Sequence, residues 1–357
     1  MNLDIPLHIL NLVEIFSYAA ISFLIAVCFF PSFIKFLQKY KLTQKIRQDG
    51  LSGGVAKIFQ ALHAHKAGTP VMGGVVIIFA VLMTVVISRV LSYLGFIDHS
   101  ILNRGETYLP ILTLTAVGIL GMIDDYLNIT ESSKEKGLSA RVKFWSLFMF
   151  AVAGAIWFSL KLEWSILHVP GVGDFDIGYW YAPLFVFVLV GTANSVNLTD
   201  GLDGLAGGLL AISFSVFAVI SYFYGLPILS VFCAVIVGAI IAFLWFNVPP
   251  AKIYMGDTGS LALGATLGVI AMLTNSVIIL AIIGFIFVGE TLSVMLQLFW
   301  KKFLGRKLFK VAPIHHHFEA IKWSETQIVT RFWIIGTFTG IVGLIIGLLG
   351  MGDVGIL

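Results

Sequence analysis

At 357 residues, 59% hydrophobic and only 11% charged, with a mean hydropathy of +0.99, the chain cannot be a soluble globular domain, which carries about 25% charged residues. The composition reads as an all-α polytopic integral membrane protein, one transmembrane domain over residues 1–357. Cys28 and Cys233 both fall in apolar runs, which excludes a disulfide framework or a CxxC metal site.

A helix needs roughly 20 apolar residues to cross a bilayer. Runs of that kind predict ten spans, near 15–37, 71–94, 109–127, 142–162, 180–198, 204–224, 228–247, 259–275, 277–300 and 329–350. The first follows acidic Asp4 and Glu14 rather than a basic leader, so it reads as a span and not as a cleaved signal. Residues 163–179, with Glu163, Asp174, Asp176 and several Gly, read as a short exposed hairpin or an irregular loop.

The net charge of +3 matters less than its distribution. The odd-numbered loops and their flanks hold Lys35, Lys39, Lys41, Lys45, Arg47, Lys57, Lys66, then Lys134, Lys136, Arg141, Lys143, then Lys252, then Lys301, Lys302, Arg306, Lys307, Lys310, Lys322 and Arg331. Of 22 Lys and Arg, only Arg89, Arg104 and Lys161 fall on the other side. The positive-inside rule then predicts cytoplasmic odd loops and both termini outside.

Seven acidic residues lie in or beside the spans. They are Asp124 and Asp125 in Gly121-Met-Ile-Asp-Asp-Tyr126, Asp200 and Asp203 in Asn194-Ser-Val-Asn-Leu-Thr-Asp-Gly-Leu-Asp-Gly204, Asp257 in Tyr254-Met-Gly-Asp-Thr-Gly-Ser260, and Glu290 and Glu319. A carboxylate at membrane depth is costly and usually lines a polar cavity or serves a function; several at span ends suit a hard cation such as Mg²⁺. All but Glu290 are predicted at the cytoplasmic face, which places an active site there.

Each motif also has a plainer reading. Asp124-Asp125 could be interfacial anchors, but Gly118 and Gly121 beside them suit close backbone packing, and adjacent side chains project about 100° apart, so at most one faces a given ligand. Residues 194–204 could be only a tight turn, yet Asn194 and Asn197 reach back into an apolar helix; a helical turn would put Asp200 and Asp203 on one face. Asp257 or Thr258 could be no more than an N-cap. Glu290 reads equally as an interhelical hydrogen bond. His315, His316 and His317 point three ways and make no compact metal triad; imidazoles near phosphates fit better. Lys66 reads equally as a positive-inside residue. No P-loop, dinucleotide fingerprint, HExxH or GxSxG occurs. A transporter is disfavoured because the acids gather at one surface instead of trailing across the bilayer.

In this order, Thr69-Pro-Val-Met-Gly-Gly74, Asn197-Leu-Thr-Asp-Gly-Leu-Asp-Gly204, Tyr254-Met-Gly-Asp-Thr-Gly-Ser-Leu261 and Pro313-Ile-His-His-His-Phe-Glu319 resemble the polyprenyl-phosphate N-acetylhexosamine-1-phosphate transferase superfamily, over nearly the whole chain. The unbroken His-His-His with its Glu is similar to the muramoyl-pentapeptide branch; the branch that uses UDP-GlcNAc more often interrupts that run. The resemblance implies a bacterial inner-membrane enzyme. In the implied reaction, undecaprenyl phosphate attacks the sugar-linked phosphorus of UDP-N-acetylmuramoyl-pentapeptide, UMP leaves and lipid I forms. It further implies Mg²⁺, a homodimer and no nucleic-acid partner. By position, Asp257 matches the metal ligand and Asp200 the central catalytic carboxylate, also assigned to the metal. Asp124 and Asp125 match the acidic pair near the lipid phosphate. Lys66, Asn197, Asp203, Asn247 and Tyr254 match positions around the nucleotide and diphosphate, and His315, His316 and His317 the substrate loop. The family often has Phe at Tyr254; stacking on uracil survives the change. Asp124 as a base and an aspartyl-phosphate on Asp200 or Asp125 both stay open at this point.

Overall fold

Apolar runs without internal breakers fold as helices because only a helix satisfies its own backbone within lipid. The computed structural model describes residues 6–43, 68–103, 105–130, 137–161 and 164–351; Lys66 lies outside the described residues, as do Arg104, Lys134 and Lys136. The helices are α1 (Leu7–Lys39), α2 (Gly73–Tyr93), α3 (Tyr108–Thr130), α4 (Ala140–Lys161), α5 (Tyr181–Thr199), α6 (Leu205–Phe223), α7 (Pro227–Asn247), α8 (Gly256–Leu273), α9 (Val277–Ile283), α10 (Phe285–Phe303), α11 (Ile314–Ala320) and α12 (Glu325–Leu349).

Among the described residues nine of these are long and apolar enough to cross a membrane, and ten spans result if α9 and α10 count as one. The protein is therefore a nearly all-α, multi-pass membrane protein. The predicted span over 277–300 is two helices: the chain breaks at Gly284 and bends by 83° between α9 and α10. At 1.5 Å per residue, the seven residues of α9 rise only about 10 Å. The start predicted at 329 also moves. Ser324 accepts from the Gln327 amide and Gln327 answers the Ser324 N–H, a capping box that begins α12 at Glu325.

The predicted hairpin is present as β1 (Ile166–Val169) paired antiparallel with β2 (Gly173–Asp176). His168 ties it down. Its Nδ1 lies 2.6 Å from Asp174 Oδ1, its Nε2 donates to the Gly350 carbonyl at 2.7 Å, and its N–H donates to Asn275 Oδ1 at 3.1 Å.

α8 is the axis. In its 18 residues 89% are buried, and α2, α3, α5 and α6 all pack on it. Small residues make this possible. A Cβ on Gly74 of α2 would overlap the Gly259 backbone, and one on Gly121 of α3 would overlap the Asp257 carbonyl. A Cβ on Gly264 would come within 2.7 Å of the Thr192 carbonyl of α5. The pairing of Gly118 and Gly121 with close packing thus holds, and it delivers the start of α8 to the ends of α3 and α5.

Candidate active site

Asp124, Asp125, Asn197 and Asp200 converge on the first turn of α8, which carries Asp257. Its opening backbone N–H groups have no intrahelical acceptor and carry the positive end of the helix dipole. Neither Asp257 nor Thr258 caps it: the N-cap position is Met255, with no side-chain cap. The cap comes from α3. Asp125 Oδ1 accepts the Asp257 N–H at 3.0 Å, and Oδ2 accepts the Thr258 N–H at 3.0 Å and its hydroxyl at 2.6 Å. Gly256 is left-handed (φ 76°), and a Cβ there would overlap Asp125 Oδ2; glycine serves this approach on both counts.

With the cap supplied from outside, the Asp257 carboxylate is left for other partners. Lys143, in the first turn of α4, donates to Asp257 Oδ2 at 2.9 Å and to Asp124 Oδ2 at 3.1 Å. Asn197 of α5 donates to Asp257 Oδ1 at 2.8 Å and to Ser260 Oγ at 2.9 Å. Asp124 is fully buried and also accepts from the Leu138 N–H at 2.7 Å and from Asn128 Nδ2 at 2.8 Å. The adjacent Asp124 and Asp125 thus have separate partners, as their angular offset on a helix requires.

Asp200 follows the last residue of α5, where ψ of 51° ends the helix. Burial, then the carboxylates of Asp257, Asp125 and Asp203, push it up to about 7, against the opposing Gly256 N–H that it accepts. The sign follows from linkage. Well below the ordinary carboxylate range Asp200 is neutral in both folded and unfolded chains. Between 3.8, its ordinary value, and about 7 the unfolded chain ionises while the folded one holds its proton, so stability falls as pH rises across that window and falls no further above it. A cation beside it would relieve that cost.

The expectation that Asp200 and Asp203 share a helical face is corrected. Residues 200–204 are a non-helical turn, and Asp203 faces the other way, with its Oδ2 accepting the Ala251 N–H at 3.0 Å and its own N–H donating to Glu325 at 2.7 Å. Asn247 is also committed to the backbone: Oδ1 accepts from Gly204 and Nδ2 donates to Ile253, both at 2.9 Å. Both residues shape the wall around 248–255. Tyr254 is half-buried and pinned by its backbone, donating to Pro70 at 2.9 Å and accepting from Gly73 at 2.7 Å.

The three histidines lie on α11 and point three ways. His315 is buried beside Glu290, with Nδ1 3.0 Å from Oε2. His316 Nδ1 is 2.6 Å from Glu319 Oε2. His317 Nδ1 accepts the Lys310 N–H at 3.1 Å. None of these contacts reaches the carboxylate cluster.

The structure therefore brings together Asp124, Asp125, Asp200, Asp257 and Asn197, from α3, α5 and α8. It adds Lys143 and Asn128, to which the sequence assigned no site role, and Thr258, expected only as an N-cap; the only signal for Lys143 was a base in the first turn of an apolar helix. Among the described residues no three His, Cys, Asp or Glu converge as a closed cage. The oxygen donors around Asp257 fit Mg²⁺, which takes one or two carboxylates, keeps several waters and completes its shell with substrate phosphate. The Lys143 ammonium between Asp124 and Asp257 marks where positive charge is held.

Residues 108–275 match the family model described as glycosyl transferase family 4. The chain is similar to the phospho-N-acetylmuramoyl-pentapeptide-transferase of Geobacillus thermodenitrificans (strain NG80-2), 40% identical over 328 residues that cover 92% of this chain and 96% of the relative. That of Staphylococcus epidermidis (strain ATCC 35984) is 39% identical over 340 residues, 93% and 99% of the two chains. That of Chloroflexus aurantiacus is 36% identical over 345 residues, 93% and 89%. With identities of this size over nearly the full length of both partners, the chain belongs to the phospho-N-acetylmuramoyl-pentapeptide-transferase family.

Proposed function

We propose that the protein transfers phospho-N-acetylmuramoyl-pentapeptide from its UDP-linked donor to undecaprenyl phosphate, with Mg²⁺, in the bacterial inner membrane. An oxygen of the lipid phosphate attacks the sugar-linked phosphorus, the bond to UMP breaks, and UMP leaves as lipid I forms. The observation that carries this reading is the cluster at the positive end of α8, where Lys143 joins Asp124 to Asp257 and Asp200 accepts the Gly256 N–H. Phosphoryl transfer needs chiefly positioning and charge neutralisation, and a helix N-terminus with an ammonium beside it offers both to a diphosphate. When bound, Mg²⁺ supplies charge neutralisation at the transferring phosphorus; Asp257 and Asp200 would hold it. The Lys and Arg bias supports a cytoplasmic site and both termini outside, provided that the bent α9–α10 pair counts as one crossing.

Purified protein given both substrates and Mg²⁺ is expected to release UMP, and Asp257→Ala is expected to release none above background. Release with UDP-GlcNAc and not with the muramoyl donor would move the protein to the sister branch.

For Asp124 the proposal is positioning. A phosphate monoester has a second pKa near ~6, so the lipid phosphate is already largely ionised at neutral pH and a base adds little. Asp124→Asn is expected to lower kcat by about 100-fold, equally at every pH from about 6.5 to 9. A variant whose rate climbs back toward wild type as pH rises would make Asp124 the base. A nucleophilic role for Asp125 would require breaking its three bonds to α8.

A further inference from the structure

Glu290 is wholly buried in α10, and nothing in the transfer described above uses it. Among the described residues its Oε1 has no hydrogen-bond partner, while its Oε2 lies 3.0 Å from His315 Nδ1 and accepts the His315 backbone N–H at 3.5 Å. A buried carboxylate left this way is costly at membrane depth, so a purely architectural role is a poor explanation. His315 is equally buried; among the described residues neither ring nitrogen makes a hydrogen bond of standard geometry, so Nδ1 meets Oε2 as a close ion-pair contact and Nε2, the far nitrogen, is left over. That end of the ring abuts Gly201: a Cβ there would overlap Nε2 and lie 3.0 Å from Cε1. Gly201 directly follows Asp200. Three separate segments, α10, α11 and the turn after α5, thus meet through one carboxylate and one imidazole.

We infer that Glu290 is a positioning residue: its carboxylate fixes the His315 ring, and the ring sets the Asp200–Gly201 turn and so the Asp200 carboxylate. The inference rests on the proposed transfer only for its kinetic readout. With Nδ1 turned to Glu290 Oε2, Nε2 is the nitrogen directed at the turn; a proton shared between Nδ1 and Oε2 would fix that tautomer. The arrangement is that of a carboxylate orienting a histidine from behind, with the histidine acting on backbone.

The test compares full-length Glu290→Gln, His315→Ala and the double variant. Glu290→Gln keeps the size of the side chain and removes the charge. It is expected to lower kcat for UMP release on the order of 10- to 100-fold, the cost of a slightly misplaced catalytic group. The KM of both substrates should stay within about twofold and the thermal midpoint near wild type, because a positioning loss falls on the transition state. The double variant should be no slower than His315→Ala, because the two residues act as one unit. Losses that multiply, a loss that appears in KM alone, or one that tracks a fallen midpoint would overturn the inference. Histidine-selective ¹⁵N spectra, with His315→Ala for assignment, give a readout independent of activity. A proton on His315 Nδ1 is expected in the wild type and its fixed placement is expected to be lost in Glu290→Gln. A wild-type ring with a bare Nδ1 would overturn the inference whatever donor the protein uses. Wild-type protein silent toward the muramoyl donor would instead overturn the proposed function, leaving the spectra to decide on Glu290.

Discussion

Lys143→Met is expected to slow UMP release by about 100- to 1,000-fold while the protein stays folded. Its ammonium holds two carboxylates from different helices, Asp124 at 3.1 Å and Asp257 at 2.9 Å. Two unit charges about 4 Å apart interact by ~4 kcal/mol at an effective dielectric near 20. Partial exposure of the Lys143 and Asp257 side chains, 32% and 21%, weakens this; truncating one partner of such a pair still costs about 3–4 kcal/mol. Asp124 and Asp257 would then repel each other, and one would take up a proton or swing away from the diphosphate. Lys143→Arg is expected to recover little, because a planar fork cannot take the place of a compact ammonium between two oxygens. The measurement is steady-state UMP release with donor affinity read beside it. A Lys143→Met enzyme within fivefold of wild type would remove the lysine from the chemistry.

Asp125→Ala should act on the fold. The Asp125 carboxylate is buried, and its removal strands the Asp257 and Thr258 amides and the Thr258 hydroxyl. Buried donors left without an acceptor, one of them on a tightly packed helix end, give an expected cost of about 3–5 kcal/mol. The thermal midpoint in detergent should fall by several degrees, with the yield of folded protein falling alongside it. Lys143→Met should lower the midpoint less, because both of its carboxylates keep other donors, Asn197 on Asp257 and Leu138 and Asn128 on Asp124. The contrast separates two neighbouring pieces of one cluster: a carboxylate that builds the helix start, and an ammonium that serves what binds there. An Asp125→Ala protein with an unchanged midpoint would refute the capping account.

The spans were legible because their lengths answer to a fixed bilayer thickness; nine of the ten predicted runs correspond to one long helix each. The exception, 277–300, shows what hydropathy misses. Gly284 sits in an unbroken apolar run and changes no average, yet it separates two helices at 83°. The Ser324–Gln327 box was a local signal that set the start of α12 before the apolar run begins. The acidic motifs could be read as site residues because carboxylates at membrane depth are costly. Their division of labour could not. Asp125 caps a helix in another part of the chain, Asp203 Oδ2 and the Asn247 amide bond to backbone, and Lys143 looks like any cytoplasmic base until its two partners are seen. Each of these depends on a contact between segments that are distant in sequence.

The cap that begins α8 arrives from a residue 132 positions earlier. Until α3 and α8 are seated against each other, the first turn of α8 has no acceptor and Asp257 has no fixed direction. A chain in which α3 and α8 have not met therefore holds the carboxylates without the cap that starts α8. Completion of the bundle and arming of the enzyme are a single event, governed by the same few hydrogen bonds.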